Sequence, residues 1–467
     1  MLETRTGEKN TGDLKILPSG ALRVSMLAAG LALAACSESG TETESVETAS
    51  PETDLVWAVN VGGPAYDGVD GTSYEAESSV SGGTIGEMEQ VKGSQDPTLY
   101  QTYREGDIRV ARAIENGSYD LTFHFAEPDP EREYRPGERV FDAFAEDRIV
   151  IDDIDVATFR DGKPISALTV TVPNVEVSDG ELNIRFEASA DQPTLSALVV
   201  RDKRRPAPDW QLVWSDEFDG DDWDRDKWTP ELWGPRRVND EDQAYTGRPE
   251  NVRIEDGMLV IEAHREDYED ANYTSARMVS MDSGDFLYGR FEIRAKLPSG
   301  QGTWPAIWML PSEPFAYATT CEGISRWEWQ GSPDCDAWPK SGEIDIMEHV
   351  GYQMNHVHGT VHNEAYYWVN WEQRKARILL DDVDTNFHVY ELEWYPDRID
   401  AFVDGTLYFT YMNEGTGWEA WPYDIPYHLI LNIAVGGYWG RAGGPIDDSV
   451  FPQHMLIDYV RVYQLPE

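Results

Sequence analysis

Gly342-Glu343-Ile344-Asp345-Ile346-Met347-Glu348 reads as a β-strand with one acidic and one apolar face. Side chains at i and i+2 of a strand share a face, so Glu343 and Asp345 point one way while Ile344 and Ile346 point the other. Glu348 has the wrong parity to join them. One extra residue, a bulge at Ile346-Met347, would re-aim it, and bulges commonly serve that purpose beside active sites. Three carboxylates crowded on one face repel one another, so at least one should hold its proton near neutral pH, as a general acid must. A nucleophile and an acid/base with carboxyls about 5 to 5.5 Å apart is the arrangement of retaining glycoside hydrolysis. In a chain with 86 acidic residues the spacing alone is weak, and its neighbours give it weight.

Upstream of the strand lie Tyr288-Gly289-Arg290-Phe291-Glu292-Ile293-Arg294 and Gly302-Thr303-Trp304-Pro305-Ala306-Ile307-Trp308. Downstream come His358-Gly359-Thr360-Val361-His362 and Asn432-Ile433-Ala434-Val435-Gly436-Gly437-Tyr438-Trp439, and strands recur to Met455–Tyr463. With few helical periodicities from Trp210 onward, the expected fold class is all-β: residues 210–467 as one large jelly-roll sandwich with a concave cleft.

These segments, in this order, closely resemble glycoside hydrolase family 16 and its laminarinase-like members with a bulged catalytic strand. The resemblance implies Glu343 as nucleophile, Asp345 as its assistant and Glu348 as acid/base. It further implies sugar contacts at Asn239, Arg277, Trp304, Trp308, His362 and Trp439. Flat apolar pyranoside faces stack on tryptophan while their hydroxyls need polar partners, which agrees. Many relatives hold one calcium, and Glu217, the Gly257 carbonyl and Asp458 match that pattern, with oxygen donors suited to a hard cation. No cofactor is expected for catalysis. His388 and Tyr390, in an ordinary alternating strand, are assigned to the fold.

Between Pro311 and Ser341 the chain carries a long insertion with Trp327, Trp329 and Trp338. Its Cys321 and Cys335 are close enough in sequence to close one disulfide in an exported protein. Such a loop beside the cleft would alter the preferred glucan or favour exo over endo attack.

Residues 55–200 alternate short apolar strands with turns and read as a second β-sandwich. Val110–Ile114, Asn116-Gly117 and Tyr119–Phe125 suggest a hairpin. Trp57–Gly63, Leu99–Gly106 and Phe123–Glu127 resemble the malectin-like carbohydrate-binding domain, which implies sugar binding through exposed aromatics, with Tyr66, Tyr100 and Tyr103 as candidates. Residues 201–209, basic and Pro-rich, read as a linker.

Arg23 and the apolar run Val24–Ala35 form a signal-peptide pattern too short to span a bilayer. Leu33-Ala34-Ala35-Cys36 resembles the bacterial lipobox, with Cys36 as the lipidated residue. Ser37 follows instead of the Asp that favours inner-membrane retention, so residues 1–35 are expected to be removed and the chain anchored at the outer membrane. Residues 36–54 are too acidic and polar to order themselves and read as a tether.

The net charge of −48 argues against nucleic acid and favours a neutral glycan over a sulfated one. The expectation is a monomeric, lipid-anchored endo-β-1,3-glucanase. Mixed-linkage glucan or an agar-type galactan as substrate, and a non-catalytic glucan-binding lipoprotein, remain alternatives.

Overall fold

The computed structural model describes residues 54–132, 135–160, 166–203 and 208–466. The signal, Cys36 and most of the tether lie outside the described residues. Strands dominate, and no described helix is long and apolar enough to cross a membrane.

The C-terminal sandwich forms because its strands alternate strictly. In Gly289–Lys296, Phe291, Ile293 and Ala295 are fully buried while Arg290, Glu292 and Arg294 face outward. The strands Gln453–Gln464, Gly289–Lys296, His388–Trp394 and Arg398–Val403 are neighbours in a ten-stranded sheet. Opposite it, Arg374–Leu379, His356–His362, Glu343–Glu348, Thr303–Pro311, Tyr427–Val435 and Arg277–Val279 follow one another antiparallel in the second sheet. Ile344, Ile346, Met347, Ile293, Leu392 and Val460 share the core between the two sheets.

The N-terminal sandwich packs Phe123, Phe125 and Val170 against Phe141, Ile184 and Phe186. The predicted hairpin is not there. Arg109–Ala113 pairs with Glu181–Ala190, whereas Gly117–Phe125 pairs with Leu168–Val177 in the other sheet. Val110 and Leu121 meet across the core instead of side by side, because both strands bury their apolar faces in it. The Asn116-Gly117 turn is an arch between layers, stabilised by the Tyr119 hydroxyl donating to the Glu115 carbonyl at 2.8 Å.

The two sandwiches also share a sheet. Leu168–Val177 of the first pairs in parallel with Arg374–Leu379 of the second, Val170 opposite Arg377 and Thr171 opposite Ile378. The resulting sheet has 12 strands, from Leu55–Asn60 to Thr229–Pro230. Arg377 crosses the junction to donate to the Phe159 carbonyl and stands 4.8 Å from that ring. Gln95 does the same at another point, accepting from Met412 N at 2.7 Å and donating to its carbonyl at 2.8 Å.

Candidate active site

The bulge is present at the expected place. Thr360 pairs with Asp345 and His358 with Glu348, so one residue of one strand, Gly359, stands opposite two of the other, Ile346 and Met347. Ile344, Ile346 and Met347 all enter the core, and Glu343, Asp345 and Glu348 are left to the opposite face. A bulge frees backbone groups, and the Ile346 carbonyl accepts from the Tyr408 hydroxyl at 3.0 Å. Tyr408 can reach it because residue 359 is glycine: a Cβ there would come within 2.8 Å of that hydroxyl. Gly342 is constrained as well, with φ +86° and a Tyr427 hydroxyl where its Cβ would be.

Each glutamate is held by an indole. Trp338 Nε1 donates to Glu343 at 3.0 Å, and Trp304 Nε1 donates to Glu348 at 3.1 Å. His362 Nε2 stands 3.7 Å from Glu343 and 3.6 Å from Asp345. Asp345 is buried, and its Oδ2 has no hydrogen-bond partner among the described residues. Burial, with the charges of Glu343 and Glu348, raises its carboxyl well above the usual range. Burial and the Glu348 charge push Glu343 up to about 8, against the pull of the Trp338 N–H and of Arg277. The anion is favoured on Glu343, which has a donor, and the shared proton on Asp345, whose Oδ2 has none among the described residues. Glu343, Asp345 and His362 offer ligand atoms within 4.8 Å of one another, close enough for a cation, but the same closeness makes them a proton-sharing cluster.

Around this centre the predicted contacts sort themselves. Trp304 and Trp439 meet edge to face at 5.5 Å, and Asn239, exposed, accepts from Tyr438 N at 2.9 Å, so these three form one rim beside Glu348. Trp308 is half-buried, its indole donating to Asn432 at 2.7 Å. Arg277 is not a cleft-lining donor as expected. It is 2% exposed, paired with Glu231, bonded to Gln330 at 2.8 Å, and sandwiched over Trp308 and Trp233. It acts on the site as a buried positive charge.

The insertion is pinned by the Cys321–Cys335 disulfide and shares a small core with the cleft sheet, Trp329 and Phe315 joining Val279, Leu310 and Ile430. It delivers Trp338 to Glu343. The motifs assign that tryptophan no role, although Trp338-Pro339 lies just ahead of Gly342 and leaves the indole little distance to cover. Glu241, two residues after Asn239, is buried; it accepts from Asn239 at 3.1 Å and Gln243 at 2.8 Å and so holds the rim.

The calcium set does not fit a cation as placed. Arg461 takes both oxygens of Glu217, at 3.0 and 2.8 Å, and Arg294 takes Asp458 at 2.6 Å, so the carboxylates are already neutralised; Gly257 lies in the turn between Val252–Glu255 and Met258–Tyr268. His388 and Tyr390 are buried in the fold, His388 held by Asp404 at 2.7 Å.

In the N-terminal sandwich the three tyrosines do not converge. Tyr100 is buried rather than exposed, its hydroxyl within 2.9 Å of His124 and 3.0 Å of Thr169, because its ring completes a small core with Tyr74 and Leu99. Tyr66 is half-buried and donates to Asp96 at 2.7 Å. Tyr103 borders a separate hollow with Pro128 and Arg139.

Residues 239–461 match the glycosyl hydrolases family 16, and residues 55–198 match the malectin domain. A β-glucanase of Rhodothermus marinus is 47% identical over 278 residues, which is 58% of this chain and 91% of that protein. The chain belongs to glycosyl hydrolase family 16. The X-ray structure of the laminarinase from Rhodothermus marinus superposes with a TM-score of 0.50 at 47% identity, covering 56% of this chain and all of that one. A glucan endo-1,3-beta-glucosidase of Cryptopygus antarcticus is 36% identical over 259 residues, 51% of this chain and 85% of that protein.

Proposed function

We propose that this family 16 hydrolase is a retaining endo-β-1,3-glucanase. The observation that carries the reading is the bulge that sets Glu348 on one face with Glu343, each under its own indole donor. Glu343 attacks the anomeric carbon while Glu348 protonates the departing glycosidic oxygen, giving a glycosyl ester on Glu343. Glu348, now a base, takes a proton from water; the water oxygen attacks the anomeric carbon, and Glu343 leaves as carboxylate. Two inversions retain the configuration. Asp345 keeps its proton and orients Glu343. β-1,3-Glucan is the favoured substrate because the two proteins named above as glucanase and endo-1,3-glucosidase align over most of their lengths.

The N-terminal sandwich serves as a glycan-binding domain, and Cys36 as a lipid anchor that keeps a monomeric chain at the outer membrane. Laminarin, mixed-linkage glucan and agarose, each incubated with the enzyme and followed by reducing-end release and proton NMR, test the reading. The β-anomer should form first from laminarin. Release only from another glycan would overturn the substrate, and the α-anomer first would overturn Glu343 as nucleophile.

A further inference from the structure

Most of the 17 tryptophans are covered, and the two most exposed sit in one turn: Trp368 at 43% and Trp371 at 42%. The turn follows the strand His356–His362 and so rises from the edge of the cleft nearest Glu343. It is built to hold its shape. Asn370 Oδ1 accepts from Tyr367 N at 3.2 Å and from Glu372 N at 3.0 Å, while its Nδ2 donates to the Ala365 carbonyl at 2.8 Å. Glu372 is tied in turn to the N-terminal sandwich, by Lys92 at 3.4 Å and Gly93 N at 3.3 Å.

Trp371 adopts φ +64°, a conformation that a bulky side chain pays for in strain. An exposed indole held in strain on a braced turn gains nothing for the core. The turn is also continuous with the reacting centre. The Tyr367 ring meets Trp338 edge to face at 5.8 Å, and Trp338 donates to Glu343.

We infer that Trp368 and Trp371 form a stacking platform for a neutral glucan chain, extending the cleft outward from the Trp338 side. Exposed flat indoles suit the apolar faces of pyranosides, and the net charge of −48 disfavours a polyanion there. The inference rests on the glucanase reading for its ligand.

The test uses the full chain carrying Glu343→Gln, so that polymer is bound without being consumed. Laminarin affinity is measured by calorimetry for this parent, for Trp368→Ala, for Trp371→Gly, which suits the positive φ, and for Trp371→Phe. Trp368→Ala and Trp371→Gly should each weaken binding about five- to tenfold, with Trp371→Phe closer to the parent. In the active enzyme the same changes should raise KM for laminarin and leave kcat on a short glucan oligosaccharide unchanged, which misfolding would not do. Laminarin affinity within twofold of the parent in both truncated variants would overturn the platform. So would concentration-dependent dimerisation abolished by those variants with laminarin affinity intact, since the indoles would then be a contact between copies. Failure of the glucanase reading shows elsewhere, as an unsubstituted enzyme that releases nothing from laminarin.

Discussion

Two trios of acids stand on opposite sheets of the catalytic sandwich and are held in different ways. On the sheet away from the cleft, Glu292, Glu391 and Glu393 surround Arg290 at 2.7, 2.8 and 3.8 Å. On the cleft sheet, two indoles donate to Glu343 and Glu348, and one imidazole stands beside Glu343 and Asp345. The first trio gathers on one fixed positive charge, although burial still pushes Glu391 up to about 7. The second relieves its repulsion by keeping a proton, helped by the indole donors and the more distant Arg277 charge. Both trios hold a raised carboxyl, so acid clusters are told apart by what faces them, a guanidinium on one sheet and indoles at a cleft on the other.

Removing the nucleophile is the severest test of that contrast. Glu343→Gln should lower kcat on laminarin by about three orders of magnitude or more, read as initial rates of reducing-end release. Next in size is Arg290→Met, which strands three acids away from the cleft. It should cost about 3 to 5 kcal/mol in urea unfolding while kcat stays within about twofold. Loss of activity in the folded variant would break the distinction between the trios.

Asp345→Asn should do the reverse. The native carboxyl is raised by burial, so between its unfolded and folded pKa the native state holds a proton that the unfolded chain has released, and stability falls as pH rises. Asparagine has no proton to lose. The variant should gain about 2 kcal/mol at pH 7, seen as a higher Tm, and nothing at pH 4, with activity reduced. The smallest effect is expected from Trp338→Phe. Its indole N–H favours ionised Glu343, so without it the acidic limb of kcat/KM moves to higher pH and the rate at pH 5 falls about fivefold, with little change on the alkaline side.

The bulge was legible because parity is a local property: Glu343 and Asp345 set a face, and Glu348 could join it only through one extra residue. The cleft rim was legible through the resemblance of separate motifs. Arg277 was misplaced because a strand position gives direction but not depth, and its burial depends on Glu231 and Trp233 far away in sequence. The Asn116-Gly117 turn misled for a related reason, since turn chemistry permits a hairpin or an arch and only the core decides. The pairing of Val170 with Arg377 left no trace in either strand, because backbone hydrogen bonds between strand edges are indifferent to side-chain pattern.

That pairing changes how avidity works in this molecule. A binding module on a flexible linker raises the local concentration of substrate by an amount set by linker length, and must search for each productive contact. Here the two sandwiches continue one sheet, so the distance and angle between any glycan held by the first and the carboxylates of the second are fixed by strand geometry. The second engagement needs no search. If the N-terminal sandwich holds glucan as proposed, a chain must have the curvature to satisfy both sites at once or gain nothing from the pair, and that sandwich then gauges polymer shape as well as gripping it.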